Sequence, residues 1–297
     1  MVDDQHTASS TSASPPLHEL TQPLISDDKL KQLYAAMLKR RLLTRASFLG
    51  KPTRSLMGFQ EACEIGCTID LRQQDTIAMA VSDPFATLRD MLQAHPQGAL
   101  DQQDGIPIDR SPSVRVLQLD NSADRLMLAT GVAFAYRSRT PDNVVIAFAD
   151  AHALAEAREA LFFAVAHRLP IIYVQQSGRP GKGDSSGKLK GSQPLTIPVD
   201  QSDVIAVYRV AHEAIDKARR GVGPTVIQSI QSAHQRGNSK NRSVYVNDPV
   251  EYMEKYLRTK SLWSDEFKRE IEASAAEQVT RARATRQKKS PRIQLAQ

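Results

Sequence analysis

Val144 to Ser177, VVIAFADAHALAEAREALFFAVAHRLPIIYVQQS, decides the fold. Val144 to Phe148 is a short apolar run of the length a fully buried strand needs. From Ala153 to His167 the apolar positions Leu154, Ala157, Leu161, Ala164 and Val165 recur at a helical period. His167 and Arg168 fall in the last turn, where cations offset the helix dipole, and Pro170 stops the helix. Ile171 to Val174 reads as a second buried strand. Strand, helix, strand in this order implies a parallel sheet, and such sheets bind ligands outside the carboxyl ends of their strands. Asp150 stands at that end of the first strand, either as a ligand-binding carboxylate or as a loop carboxylate capping the next helix.

Outward from this block the chain is orderly. Residues 1–25, rich in Ser, Thr and Pro, are expected to form a disordered lead-in. From Ser26 the pattern turns helical, with Leu30, Leu33, Tyr34, Met37, Leu38 and Arg41. A second helix is expected over Gln60–Leu71 and a third over Asp124–Arg137, whose Ala129, Gly131, Ala133 and Ala135 suit close packing on a sheet. The segment Ala94–Asp120 carries few signals. Ser202 is expected to cap an amphipathic helix through Val204, Val207, Tyr208, Ala211, Ala214, Ile215 and Ala218, which Gly221 and Gly223-Pro224 end. Thr225–Ile230 is a further buried strand.

Three places carry the chemistry: Ala149-Asp150-Ala151, Glu159-Ala160 and Gln176-Ser177. They resemble the cofactor segment of thiamine-diphosphate-dependent 2-oxoacid dehydrogenases, in the alpha subunit of the decarboxylating component, as in pyruvate dehydrogenase. In that family the first strand ends in Gly-Asp-Gly, a Glu-Ala pair follows on the helix, and the second strand ends in Asn-Asn. Tyr34, Met37 and Arg41 are similar to its opening helix, Gln60-Glu61-Ala62 to its Gly-Gln-Glu-Ala, Asp200–Pro224 to its Val-Asp-Gly-Asn-Asp segment with the helix after it, and Asp248-Pro249 through Leu262-Trp263 to its ending. The resemblance runs collinearly from about Leu24 to Ala284. It implies an α/β thiamine-diphosphate-binding fold, a Rossmann-like parallel sheet with helices on both faces and a helical C-terminal extension. It places the family domain at 26–284 and leaves 285–297 as a basic disordered tail.

The same resemblance implies thiamine diphosphate held through Mg2+, an ion that asks for six oxygens in a near-octahedral shell. Asp150 takes the place of the first protein ligand and Ser177 that of the second, a hydroxyl where the family has an amide; Gln176 offers a longer amide beside it. Ala149 and Ala151 replace glycines, so each adds a methyl where the pyrophosphate approaches the backbone. The family's Tyr-Arg pair aligns with Val81-Ser82, which carry no charge. His234 stands where the family has an arginine, either a part-time cation or a solvent-exposed loop histidine. Asn238 replaces the family histidine, and an amide has no usable pKa for proton transfer, so no catalytic residue is assigned. His152 and His212 suggest no role.

The function expected is therefore a cofactor-site-degenerate, non-catalytic or regulatory paralogue of a pyruvate or branched-chain dehydrogenase alpha subunit. The alternative is active oxidative decarboxylation of a 2-oxoacid together with a beta subunit. The partner expected is a beta-like chain, in a heterotetramer, or a second copy in a homodimer. Composition excludes other classes. Cys63 and Cys67 have no further Cys or His nearby to complete a zinc site and read as buried thiols. Gly178–Gly191 lacks phosphate-loop spacing, and Leu189 stands where Ser or Thr is required. Lys and Arg total 39 against 33 Asp and Glu, a charge of 39 − 33 = +6, concentrated in the run from Arg281 to Arg292. That run has no interleaved aromatics, so a solvated tail rather than a nucleic-acid contact is expected. No apolar run reaches membrane-spanning length and Asp3 and Asp4 break an export pattern, so a cytoplasmic setting is expected.

Overall fold

A computed structural model describes residues 25–47, 60–72, 74–80, 115–176, 194–230, 233–236, 243–246 and 248–289. Six parallel strands form the central sheet: β1 Thr76–Met79, β2 Arg115–Gln118, β3 Val145–Ala149, β4 Ile171–Gln175, β5 Leu195–Asp200 and β6 Thr225–Ile230. Their spatial order is β2-β1-β3-β4-β6-β5. β3 and β4 pair in register, Val145 beside Ile171 through Ala149 beside Gln175, and all ten residues are buried. Continuous burial needs cover on both faces, and each large apolar side chain taken from water contributes about 1.5–3 kcal/mol.

The cover comes from eight helices among the described residues: α1 Asp27–Ser47, α2 Glu61–Thr68, α3 Ser122–Arg139, α4 Ala151–Glu156, α5 Arg158–Ala166, α6 Val204–Arg219, α7 Pro249–Thr259 and α8 Asp265–Lys289. Cys63 and Cys67 of α2 and Val207, Ala211, Ala214 and Ala218 of α6 pack on Ile146, Phe148, Ile172 and Val174. On the opposite face Leu126, Ala129 and Ala133 of α3, with Leu154 and Leu161, pack on Val145, Ala147, Ile171 and Tyr173. Gly66 brings α2 against α6, since a methyl there would lie 2.7 Å from Val207 Cγ1. A third core joins α1, α2, α6, α7 and α8, with Tyr34 at its centre against Trp263 and Phe267. A separate antiparallel pair, β7 Ala233–Arg236 and β8 Ser243–Val246, follows the sheet.

Several expectations move. The helix expected over Ala153–His167 is two helices, parted at Ala157 and ending at Ala166, with Arg168 left-handed at φ 48°. The second helix is shorter than Gln60–Leu71. Asp203 caps α6, accepting from the Ile205 and Ala206 N–H groups at 3.0 Å; Ser202 is tied instead to Asp200 Oδ1 at 2.6 Å. α6 ends as expected, with Gly221 at φ 71° and the Val222 N–H donating to Lys217 O, which closes the last turn. α8 runs to Lys289, so residues 285–289, expected in the tail, are helical. β2 lies in the signal-poor segment and β5 carries Pro198; both are edge strands, where burial is partial and proline is tolerated.

Candidate functional site

The winding of the sheet reverses between β1 and β3: β2 lies beyond β1 on one side, β4 and β6 beyond β3 on the other. Crevices at such points, outside the carboxyl ends, are where open parallel sheets take ligands. Asp150 is the first residue past β3 and sits at this point. Its side chain is already engaged. Oδ1 accepts the Ala153 N–H at 2.8 Å, capping α4 from an extended backbone (φ −86°, ψ 171°). This is the capping alternative read in the sequence. Ala149 is buried in the core beneath, and its carbonyl accepts the Gln176 N–H at 2.8 Å. Neither Ala149 nor Ala151 adopts positive φ, so alanine suits this turn and only the added methyl groups bear on what can approach.

Arg125 of α3 was not singled out in the sequence, where it looks like one more charge in a helix's first turn. In the structure it is buried at the mouth of the crevice. Nε donates to Phe148 O at 3.0 Å, Nη2 to Ser122 Oγ at 2.9 Å, and Nη1 to Leu119 O. One guanidinium thereby joins the ends of β2, β3 and α3. Burial pulls it below its ordinary value, while the charges of Asp150 and Asp120 push the other way.

Gln176 does not turn its amide freely into the crevice. Nε2 lies 3.4 Å from Glu64 Oε1, and Glu64 is paired with Arg40, both buried. Next to them Arg41 donates to Glu61 at 2.9 Å and to Asp248, the cap of α7, at 2.7 Å. Burial opposes its charge, yet Glu61 and Asp248 hold the guanidinium above its ordinary value. The residues resembling the family's opening helix and Gln-Glu-Ala start thus meet as a buried ionic strap.

The other expected positions separate. Ser82, Ser177, Asn238 and the loop Gly178–Gly191 lie outside the described residues. His234 is on β7 opposite Tyr245. His152 is exposed, 3.6 Å from Glu156. His212 is exposed on α6, and its Nδ1 lies 3.0 Å from Asp70, which also accepts from Lys29 and Tyr208 at 2.8 Å. Cys63 and Cys67 are buried and free, and hydrogen bonding to Cys63 together with burial holds the Cys67 thiol well above its ordinary range. Among the described residues no group of three or more His, Cys, Asp or Glu could hold a metal ion, and no helix is long and apolar enough to cross a membrane.

Comparison with known proteins decides the family. A sequence model described as dehydrogenase E1 component matches residues 34–294. The chain belongs to this family. Pyruvate dehydrogenase E1 component subunit alpha of Bacillus subtilis is 25% identical over 299 residues, covering 90% of this chain and 80% of the relative. The same subunit of Rhizobium meliloti is 26% identical, covering 77% and 72%. That of Staphylococcus aureus is 26% identical over 167 residues, so the chain spans 45% of that relative's length. A solved structure assigned as a thiamin diphosphate-dependent enzyme from Mycobacterium smegmatis aligns with TM-score 0.39 and 14% identity, covering 57% of this chain and 31% of that one. The chain is thus similar to E1 alpha subunits of 2-oxoacid dehydrogenases, and its parallel sheet with helices on both faces is consistent with the thiamine-diphosphate-binding α/β fold.

Membership of this family implies thiamine diphosphate, and the sequence resemblance adds a bridging magnesium ion. Among the described residues, the crevice offers one carboxylate, engaged as a helix cap, and one amide turned toward Glu64. Six oxygens arranged for a small, strongly hydrated cation are a different donor set. The described residues do not fit it.

Proposed function

We propose that the chain is an alpha-like subunit with a degenerate cofactor site: a non-catalytic or regulatory paralogue of a 2-oxoacid dehydrogenase component. It works in the cytoplasm and assembles with a beta-like chain, as a heterotetramer, or with itself as a homodimer. The observation that carries the reading is Asp150 Oδ1 at 2.8 Å from the Ala153 N–H, a carboxylate oxygen committed to capping α4. The resemblance adds support. Ser177 stands at the second metal-ligand position, Ser82 and His234 at phosphate-cation positions, and Asn238 at the proton-transfer position. The apolar faces that build the sheet are intact, and scaffold and site are separable in this way because function resides in a few residues set on a fold.

Calorimetric titration of the chain, alone and with a co-expressed beta-like partner, with thiamine diphosphate and magnesium tests the reading. We expect no magnesium-dependent heat while the partner co-purifies. Micromolar, magnesium-dependent binding with release of carbon dioxide from a 2-oxoacid would overturn it in favour of an active decarboxylating subunit. The triple substitution Ala149→Gly, Ala151→Gly, Ser177→Asn is the positive control, because it restores glycine and amide where the family has them.

A further inference from the structure

We infer that the amino end of the sheet carries a docking patch for a short acidic segment of another protein, in which Arg137, Arg139 and Arg168 take carboxylates around the exposed side chain of Val222. The patch is built by topology. β3, β4 and β6 are neighbours, so the turns that lead into them share one edge, at the opposite end of the strands from Asp150. α3, α5 and α6 all end at this edge. The turn Gly221–Gly223 lies between two of their arginines. A β-carbon on Gly221 would lie 2.6 Å from Arg137 Nη1, and one on Gly223 would lie 3.6 Å from Arg168 Cα. Val222, between the two glycines, is 62% exposed. Arg219 reaches the same edge by donating to the Asp142 carbonyl.

Arg168 is held in a strained conformation. α5 closes with the Leu169 N–H on Ala164 O at 2.9 Å and the Arg168 N–H on Val165 O at 3.1 Å, which sets Arg168 at φ 48°. Glycine is usual at this position, because a β-carbon there is crowded. An exposed arginine kept in its place is backbone strain retained for a side chain. Residues 137–144, 166–170 and 219–224 hold five arginines and one carboxylate, Asp142. Asp75 takes Arg219 and Asp216 takes Arg220, whereas Arg137, Arg139 and Arg168 are exposed and pair with no carboxylate among the described residues. The charge is local, because three helices turn their carbonyl ends to this edge and their dipoles offset it away from the arginines. A nucleic-acid duplex or an anionic membrane calls for a broader field. A planar guanidinium takes a carboxylate through two hydrogen bonds, and an apolar side chain seated on Val222 keeps water from them. Aspartates or glutamates flanking one apolar residue meet both requirements. The inference takes nothing from the cofactor reading, since patch and crevice lie at opposite ends of the strands.

The test is calorimetric titration of the full chain with a short oligoglutamate peptide carrying a central leucine. Binding should weaken as salt is raised. Arg168→Gly is the decisive variant. It should lose about fivefold in affinity yet melt about 2 °C higher, because the left-handed strain goes with the side chain. Arg137→Gln and Arg139→Gln should each lose about fivefold as well. Val222→Asp, which sets a carboxylate against carboxylates, should lose about tenfold or more with an unchanged melting temperature. Peptide affinity that is unchanged in Arg168→Gly or in Val222→Asp overturns the inference, and so does a full chain that gives no heat with the peptide. Tighter binding of polyuridylate or of phosphatidylglycerol vesicles, lost in the same variants, overturns it too and assigns the patch to a nucleic acid or a membrane.

Discussion

Two aspartates at opposite ends of the same parallel sheet behave differently. Asp75, at the amino end just before β1, is wholly buried. It accepts the Val144 N–H at 2.9 Å and the Arg72 N–H at 2.7 Å, and pairs with Arg219 Nη2 at 2.7 Å. It fastens β1, β3 and the end of α6 with every oxygen engaged. Asp150, at the carboxyl end, is exposed and accepts a single backbone N–H. The first holds the fold together. The second stands where the fold presents chemistry, and its present partner is only a short helix. Loss at the carboxyl end is therefore cheap in stability, which is how a site can erode while its scaffold persists.

Removing the amino-end carboxylate is the strongest way to break this contrast. Asp75→Ala leaves Arg219 and two N–H groups without their partner and should cost about 3–5 kcal/mol in urea unfolding. If Asp150→Ala cost as much, the contrast would be lost. Arg125→Met comes next: the Leu119 and Phe148 carbonyls lose their donor, and we expect a loss of about 2 kcal/mol. Asp70→Asn, on the amino side, should cost about 1–2 kcal/mol at neutral pH. Burial acts to raise the Asp70 carboxyl, but hydrogen bonds from Lys29, Tyr208 and His212 outweigh it, so its folded pKa lies below the unfolded one. Its stabilisation is therefore full above about pH 4, the unfolded value, and fades as pH falls through the lower folded value. The variant should lack that part of the acid limb in a pH series of thermal melts. Smallest is the cap itself. Asp150→Ala should cost about 1 kcal/mol and Asp150→Asn only a few tenths, because an amide oxygen caps as well.

What could be read from residues alone follows the same division. β3, β4 and α6 announced themselves because long apolar runs and a helical period survive any context. β2 and β5 did not: edge strands are half-wet, and Pro198 argues against a strand until its place at the edge is known. Asp150 was legible as a position and as a cap, since both depend on neighbours in the chain. Arg125 was not. Its role comes from carbonyls of Leu119 and Phe148 that converge only when β2 and β3 lie on either side of β1. The Glu64 contact of Gln176 was hidden for the same reason, joining residues far apart in the chain. The α6 cap was misplaced by one residue because Ser202 and Asp203 are equally good caps in isolation, and Asp200 settles the choice by engaging the serine.

Arg41 carries a consequence for how the molecule is made. It ties α1 to α2 through Glu61 and to the start of α7 through Asp248, and Tyr34 two turns earlier is roofed by Trp263 and Phe267. A helix that leaves the ribosome early thus waits for segments translated some two hundred residues later before its greasy side is covered. Over that interval it is a ready client for chaperones, and a ribosome stalled before α7 would release a chain prone to aggregate rather than a smaller stable domain.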